Sequence, residues 1–354
     1  MATATHGPTA PCSLLVSRQE VAPLLRAYLS RRLGVPHLYF ASEPAPVTDG
    51  WEAFVYHIAL APADDLPPQF RGPLTLRLFA GAGGAACARQ HFAALGYLHQ
   101  LDYPVPAPVC LEEAVETLGG PFLVMERVLG RTLVAHMLAR PWVVGPAGLR
   151  MARLQVRLHQ LPAAGFPRRG GSLLDRALAE IAETVERHDA RNLAAGLDWL
   201  AVHRPAEPAS PRILHMDFHP LNVIHRPGRE AAVIDWDTAD AGDPHADLAT
   251  TAMLLRTASN PGESVWQKML AASGRNLLNR FYLHECRKRM EFDEERFTFY
   301  AALAALRRRA RFARILALGP GCVGAKPSLM TRHLQQDHLA ALATYFRQLT
   351  GVGV

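Results

Sequence analysis

Lysine is nearly missing from this chain. Of the 38 cations among its 354 residues only Lys268, Lys288 and Lys326 are lysines, and none falls in the first 267 positions. A mechanism that needs a lysine early in the chain is therefore excluded, and arginine must fill every cationic role there. Long apolar runs are missing too: no stretch reaches the ~18 residues of a membrane-spanning helix, so no membrane segment is expected. The first 17 residues hold neither Lys nor Arg, and their apolar core CSLLV is too short for a secretory signal, so none is expected. Cys12, Cys87, Cys110, Cys286 and Cys322 lie far apart with no C-x-x-C pair. That spacing argues against a disulfide framework and for reduced thiols in a cytoplasmic protein.

What is present is globular: 49% hydrophobic and 20% charged residues, over a length sufficient for two lobes. The formal net charge of +6 invites a nucleic-acid partner, but it is unevenly distributed. Residues 215–247 hold seven acids (Asp217, Glu230, Asp235, Asp237, Asp240, Asp243, Asp247) against Arg226 and Arg229. Residues 280–314 hold ten cations against five acids, with little of the aromatic interleaving that single-strand binders use, which disfavours nucleic acid. A solvated helix face is the default reading of that basic stretch.

Along the chain, residues 1–17 read as a loose terminus, and Val21, Leu24, Leu25, Tyr28, Leu29 and Leu33 give a helix over 18–33. Strands are expected at 37–41, 51–60, 74–80, VCLEEAVE (109–116) and PFLVMERV (121–128), with a helix from about Ala88 to Leu101 after the glycine-rich run 80–86. From Gly130 onward helical patterns dominate at 132–140, 147–161, 172–188 and 192–203, and again from Asp247 with interruptions near 258–262 and 319–327. Between them lies a strand–loop–strand insertion at 213–236.

That insertion carries the chemistry. Asp217 follows the apolar pair Ile213–Leu214, Asn222 sits five residues later beyond Pro220, and AAVID ends on Asp235. All three offer oxygen donors, which suits Mg²⁺ better than zinc. Phosphoryl transfer needs such a set: a base for the acceptor hydroxyl, and ligands for the metal that neutralises the phosphates. A metal-dependent phosphohydrolase built on His215, Asp217, His219, Asp235 and Asp237 is a rival reading and would need several histidines to converge on a transition metal.

The run His215-Met216-Asp217-Phe218-His219-Pro220-Leu221-Asn222, followed by Ile234-Asp235-Trp236 and Gly242 through Ala249, resembles the loop, I-D-W/F and G-D-P-x-x-D-L-A motifs of the aminoglycoside phosphotransferase and choline kinase family. The resemblance covers roughly 35–349 and implies a bilobal, protein-kinase-like α+β fold. A tail and helix (1–34) would precede a small antiparallel-sheet N-lobe (35–127) and a mostly helical C-lobe (128–354) holding the acceptor, with ATP or GTP between the lobes. It implies Asp217 as catalytic base, Asn222 and Asp235 as Mg²⁺ ligands, and His215, His219, Asp243 and Asp247 as the supporting loop, with Asp243 and Asp247 capping a helix that begins near Pro244. Upstream, 119–133 resembles the hinge whose Met125, Glu126 and Arg127 backbone would meet the adenine. Residues 49–58, with Gly50, resemble the nucleotide-covering loop, and LHQL (158–161) the family's L-H motif.

Two departures stand out. The third strand normally offers a cation to the phosphates, and here only Arg77 is available. The helix glutamate that would pair with it is missing: no Asp or Glu occurs between Asp65 and Asp102, and His91 stands at the matching position with Gln90 beside it. Met216 replaces a glycine, which implies an ordinary backbone there or modest strain. The expected activity is phosphorylation of a small-molecule hydroxyl. A nucleotide-binding protein of weak or no activity is the alternative that the missing glutamate supports. The overall balance argues mildly against a polycationic antibiotic as acceptor, although EFDEE (291–295) could supply acids for one.

Overall fold

The computed structural model describes residues 18–47, 54–80, 83–188, 190–258, 265–319 and 335–354. Gly50 and most of both expected interruptions, near 258–262 and 319–327, lie outside these residues. The chain divides into two compact units. The first runs to Ala88 and takes in Val109–Val124, while Arg89–Pro108 and the chain from Met125 to Ala317 belong to the second. The stretch 89–108 therefore groups apart from the sheet on either side of it. It is tied to the second unit by the Tyr103 hydroxyl on Leu154 O (3.0 Å), by Val233 N–H on Pro104 O (2.8 Å), and by the Tyr103 ring 5.7 Å from Trp236.

In the first unit, α1 (Arg18–Leu33) precedes β1 (Tyr39–Pro46), β2 (Phe54–Ala61) and β3 (Pro73–Leu78). After α2 (Gly84–Gln100), which crosses into the second unit, come β4 (Pro108–Glu112), α3 (Val115–Leu118) and β5 (Phe122–Glu126). The strands form one sheet in the order β1-β2-β3-β5-β4, with β1, β2 and β3 paired antiparallel. Its core follows from two periodicities. Val21, Leu25 and Leu29 recur every fourth residue on α1, and Tyr56, Ile58 and Leu60 alternate along β2; all are buried with Leu74, Leu76 and Phe122. Each such side chain contributes about 1.5–3 kcal/mol by leaving water. One expected strand is cut short. Ala114 N–H donates to the Glu112 carboxylate (2.9 Å), so the chain turns and 115–118 becomes helix instead of extending β4.

The second unit continues with β6 (Arg131–Thr132), α4 (Leu133–Ala139), α5 (Val144–Gln160), α6 (Leu173–Arg187) and α7 (Ala194–Val202). The short strands β7 (Arg212–Leu214), β8 (Val223–His225), β9 (Ala232–Val233) and β10 (Asp240–Gly242) follow. The helices α8 (Pro244–Thr257), α9 (Val265–Arg289), α10 (Glu294–Leu318) and α11 (Gln335–Thr350) complete it. β7 pairs with β10, while β6, β8 and β9 form a second small sheet. α5 and α9 pack closely because Gly148 has no side chain: a Cβ there would lie 2.7 Å from Leu278 O. α8 is buried along nearly its whole length, which fits its apolar sequence and makes it the internal post for the loop that follows β7.

Candidate active site

The site is built where two buried strands end. β7 stops at Leu214, opposite Asp240 of β10, and releases the loop 215–222. β8 opens one residue after Asn222, whose carbonyl accepts Ile234 N–H at 2.9 Å. Asn222 and the segment after β9 are thereby held side by side. β9 ends at Val233, two residues short of the strand end at Asp235 that the sequence suggested, and Asp235 follows it in a left-handed turn with φ of 71°. Asp tolerates that conformation better than most residues do.

His215 fixes the loop from below. It is fully buried, its Nε2–H donates to Ile234 O (3.0 Å), and its Nδ1 accepts Asp217 N–H (3.3 Å). A carbonyl can only accept and an N–H can only donate, so the ring is the Nε2–H tautomer with both nitrogens engaged. That leaves it no lone pair for a metal.

Asp247 holds the other side. From the first turn of α8, fully buried, it accepts His215 N–H (3.1 Å), Met216 N–H (2.6 Å) and His159 Nε2–H (2.9 Å). Burial pulls its pKa upward, but the hydrogen bond and field of His159, with His215, outweigh that and hold it below the usual carboxylate range. Met216 has a φ of 62°, so methionine occupies a glycine-type conformation and the strained alternative holds. Such a residue costs about 1–2 kcal/mol, offset here by the short bond to Asp247. Four residues earlier, Asp243 caps α8 through His245 N–H (2.9 Å) and accepts Arg296 of α10 at 2.6 Å.

Asp217 faces outward from this frame. Asn222 Nδ2 donates both to its carbonyl (3.0 Å) and to its carboxylate (3.2 Å), and His219 Nε2 lies 3.4 Å from the same Oδ2. Burial raises the Asp217 pKa, while His219, Arg308 of α10 and His215 more than reverse that, so the net shift is downward. The group is therefore ionised at neutral pH, with an oxygen able to accept a hydroxyl proton.

A divalent cation suits the residues that remain. Asn222 is oriented by its Nδ2 on Asp217, which leaves its Oδ1 as a ligand, and Asp235 adds a carboxylate. Among the described residues no group of three or more His, Cys, Asp or Glu forms a metal cage. Two oxygen ligands fit Mg²⁺, which keeps waters and takes phosphate oxygens, and fit a transition-metal centre poorly. With His215 engaged at both nitrogens, the phosphohydrolase reading loses its first ligand.

The other expected residues belong to other elements of the chain. Arg77 on β3, in the first unit, is 6% exposed, with its guanidinium 5.3 Å from the Phe79 ring centroid. His91 is fully buried, and Gln90 donates to Pro167 O (2.8 Å) and Ala239 O (3.2 Å). Of the expected hinge, Met125 is buried, and Glu126 N–H is already donated to Ala107 O at 2.8 Å. Gly50 lies outside the described residues. Sequence reasoning noticed LHQL but did not assign His159 its bond to Asp247, and it passed over Arg176, which reaches Asp240 and the carbonyls of 169–171. A buried histidine four residues after the buried Gln155 was the available signal.

The sequence model of the phosphotransferase enzyme family matches residues 45–283. Among solved structures, the fold is shared with a thermostable mutant of aminoglycoside phosphotransferase APH(4)-Ia in ternary complex with ADP and hygromycin B. That pair is 16% identical with a TM-score of 0.61, covering 93% of this chain and 99% of that one. Amicoumacin kinase hAmiN, in complex with AMP-PNP, Ca²⁺ and Ami, is likewise 16% identical with a TM-score of 0.59, covering 95% and 96%. At such identity the likeness is one of fold, and that fold is kinase-like. A curated relative, acyl-CoA dehydrogenase family member 11 of Gallus gallus, is 30% identical over 169 residues, 43% of this chain. The chain spans about a fifth of the length of the curated relatives it matches; the share of this one is 21%. No helix among the described residues is long and apolar enough to cross a membrane.

Proposed function

Because this chain belongs to the phosphotransferase enzyme family, we propose that it transfers the terminal phosphoryl group of ATP or GTP to a hydroxyl of a small molecule. The observation that carries this is Asp217, ionised, outward-facing and locked by the Asn222 amide at 3.0 and 3.2 Å. In the reaction a bond forms between the acceptor oxygen and the terminal phosphorus, the bond to the bridging oxygen of the nucleotide breaks, and the hydroxyl proton passes to Asp217. A lowered pKa makes Asp217 a weak base that orients the hydroxyl and takes its proton late, as suits a loose phosphoryl transition state. Mg²⁺, held by Asn222 Oδ1 and the Asp235 carboxylate, would supply charge neutralisation on the phosphates. Arg77 would add a planar cation for them, and the Met125 and Arg127 backbone would meet the base. Related structures holding ADP, or AMP-PNP with Ca²⁺, support a nucleotide and a hard cation here.

The acceptor is unlike a polycationic antibiotic. Within EFDEE, Asp293 caps α10 through Glu295 N–H and Arg296 N–H, and Glu294 pairs with Arg287. Both acids are exposed, but each already has a partner within the chain. ATP and the free thiols Cys87, Cys110 and Cys286 suit the cytoplasm.

A screen for ADP release across a hydroxyl library, with Asp217→Asn as control, tests the reading. One acceptor whose turnover collapses in the variant is expected. Turnover undiminished in Asp217→Asn would sink the base assignment. AMP-PNP stabilisation with no ADP from any acceptor would favour the inactive nucleotide binder.

A further inference from the structure

The outward face of α5 carries a cationic groove that the proposed reaction does not use. Arg153, Val156, Arg157 and Gln160 of α5, with Lys288 and Arg289 at the end of α9, line an open groove of about 470 Å³. Its geometry is fixed from beneath by one buried carboxylate. Glu285, 4% exposed, accepts Arg153 Nε at 2.7 Å and Arg289 Nε at 2.5 Å on the same Oε1. The hydrogen bonds from Arg153 and then Arg289 bring its pKa down to about 2, so it stays ionised across the physiological range.

The groove remains positive. Both arginines reach Glu285 through Nε, which leaves their terminal NH₂ groups as donors. Arg157 is engaged with Glu230 (2.7 Å) and Asp102 O (2.7 Å), and Lys288 is exposed. Four cations against Glu285 and Glu230 leave two net positive charges around the groove. Two guanidinium forks held in place beside an ammonium form a receptor for tetrahedral oxyanions, because planar N–H pairs match their oxygens. The opposite side of α5 presents Gln155 and His159 to the interior, so the groove is backed by the helix that braces Asp247.

We propose that this groove binds a small phosphate-type anion, a pyrophosphate or a phosphate monoester, at a site separate from the Asp217 loop. The inference does not depend on the kinase reading. Titration calorimetry of inorganic pyrophosphate into the full chain, in metal-free buffer, tests it. Lys288→Gln and Gln160→Glu are both exposed substitutions that leave the Arg153–Glu285–Arg289 bridge intact, and each is expected to weaken binding by about tenfold or more, the size of one charge-assisted contact. Arg280→Gln, an exposed cation on α9 outside the groove, is expected to leave it unchanged. Pyrophosphate binding that neither groove variant weakens would overturn the proposal, as would no binding at all. Retention on phosphatidylglycerol vesicles without pyrophosphate binding would overturn it in favour of a membrane surface.

Discussion

Residues 215–247 carry seven acids against two cations, and residues 280–314 carry ten cations against five acids. By composition the two segments are mirror images, yet in the folded chain they behave differently. Three acids of the first are drawn inward: Asp247 is fully buried on backbone N–H groups and His159, Asp243 is buried against Arg296, and Asp240 is buried against Arg176. The cations of the second mostly remain at the surface while meeting carboxylates, as Arg287 does Glu294 and Arg307 does Glu180. Net charge alone therefore says little about either segment. What distinguishes them is the cost of separating a charge from its partners: large where both are dry, small where water can take over.

The largest break in this comparison is Asp247→Ala. It strips the acceptor from two backbone N–H groups and from His159, all buried. Removing one member of such a set costs about 3–5 kcal/mol, and chemical denaturation should show that loss together with lost turnover. Asp217→Asn is the counterpart within the same segment. The Asp217 side chain is 30% exposed and bonds only within its own loop, so the melting temperature should hold while kcat falls by about 10²–10⁴, the usual contribution of a general base. If both variants lost stability equally, the division between bracing and reacting carboxylates would fail.

Local spacing is what singles out the residues proposed to react. Asp217, Asn222 and Asp235 lie within one strand–loop–strand unit, where the chain itself fixes what is near what, and the family motif follows from that. The elements of the first unit were legible through alternation on β2 and four-residue spacing on α1, whereas the kinase-like fold itself was implied by the family resemblance. Of the bracing half, Asp243, Asp247 and His215 were legible but their partners were not, because these are remote: His159 and Asp247 are 88 residues apart, Arg296 and Asp243 53, and Arg307 and Glu180 127. A linear reading sees charges but not their partners, which is why the basic stretch looked like one solvated face.

Acid separates the acidic segment from the α10–α11 contact, where Arg308 of the basic segment meets His338. His338 of α11 is buried beside Arg308, donates Nδ1–H to Thr257 O at 2.8 Å, and has its pKa lowered to about 4, by burial first and then by Arg308. A histidine depressed in the folded state takes up its proton more readily when unfolded. Its contribution is thus complete above about 6.5 and is lost as pH falls from there to about 4, at most about 3 kcal/mol. Asp243 and Asp247 also have depressed folded values, so their contribution is present above the unfolded ~3.9 and lost only below it. Stability measured against pH should therefore fall in two steps, and His338→Gln should remove the upper one alone. A single step below pH 4 in the unsubstituted protein would show that the α10–α11 contact carries no such penalty.

The smallest effect concerns Met216, where the acid segment stores strain. Its φ of 62° is left-handed, at about 1–2 kcal/mol for a residue with a Cβ. Glycine removes that strain but costs roughly 0.5–1 kcal/mol in chain entropy, and the Met216 N–H bond to Asp247 needs no side chain. Met216→Gly should therefore stabilise by about 0.5–1 kcal/mol, the balance of the two terms, whereas Met216→Ala keeps the strain and should gain nothing. A difference between glycine and alanine here locates the strain in the backbone. Equal values would instead place the role of Met216 in its side chain, and the Asp247 clamp would then hold the loop without opposing any strain.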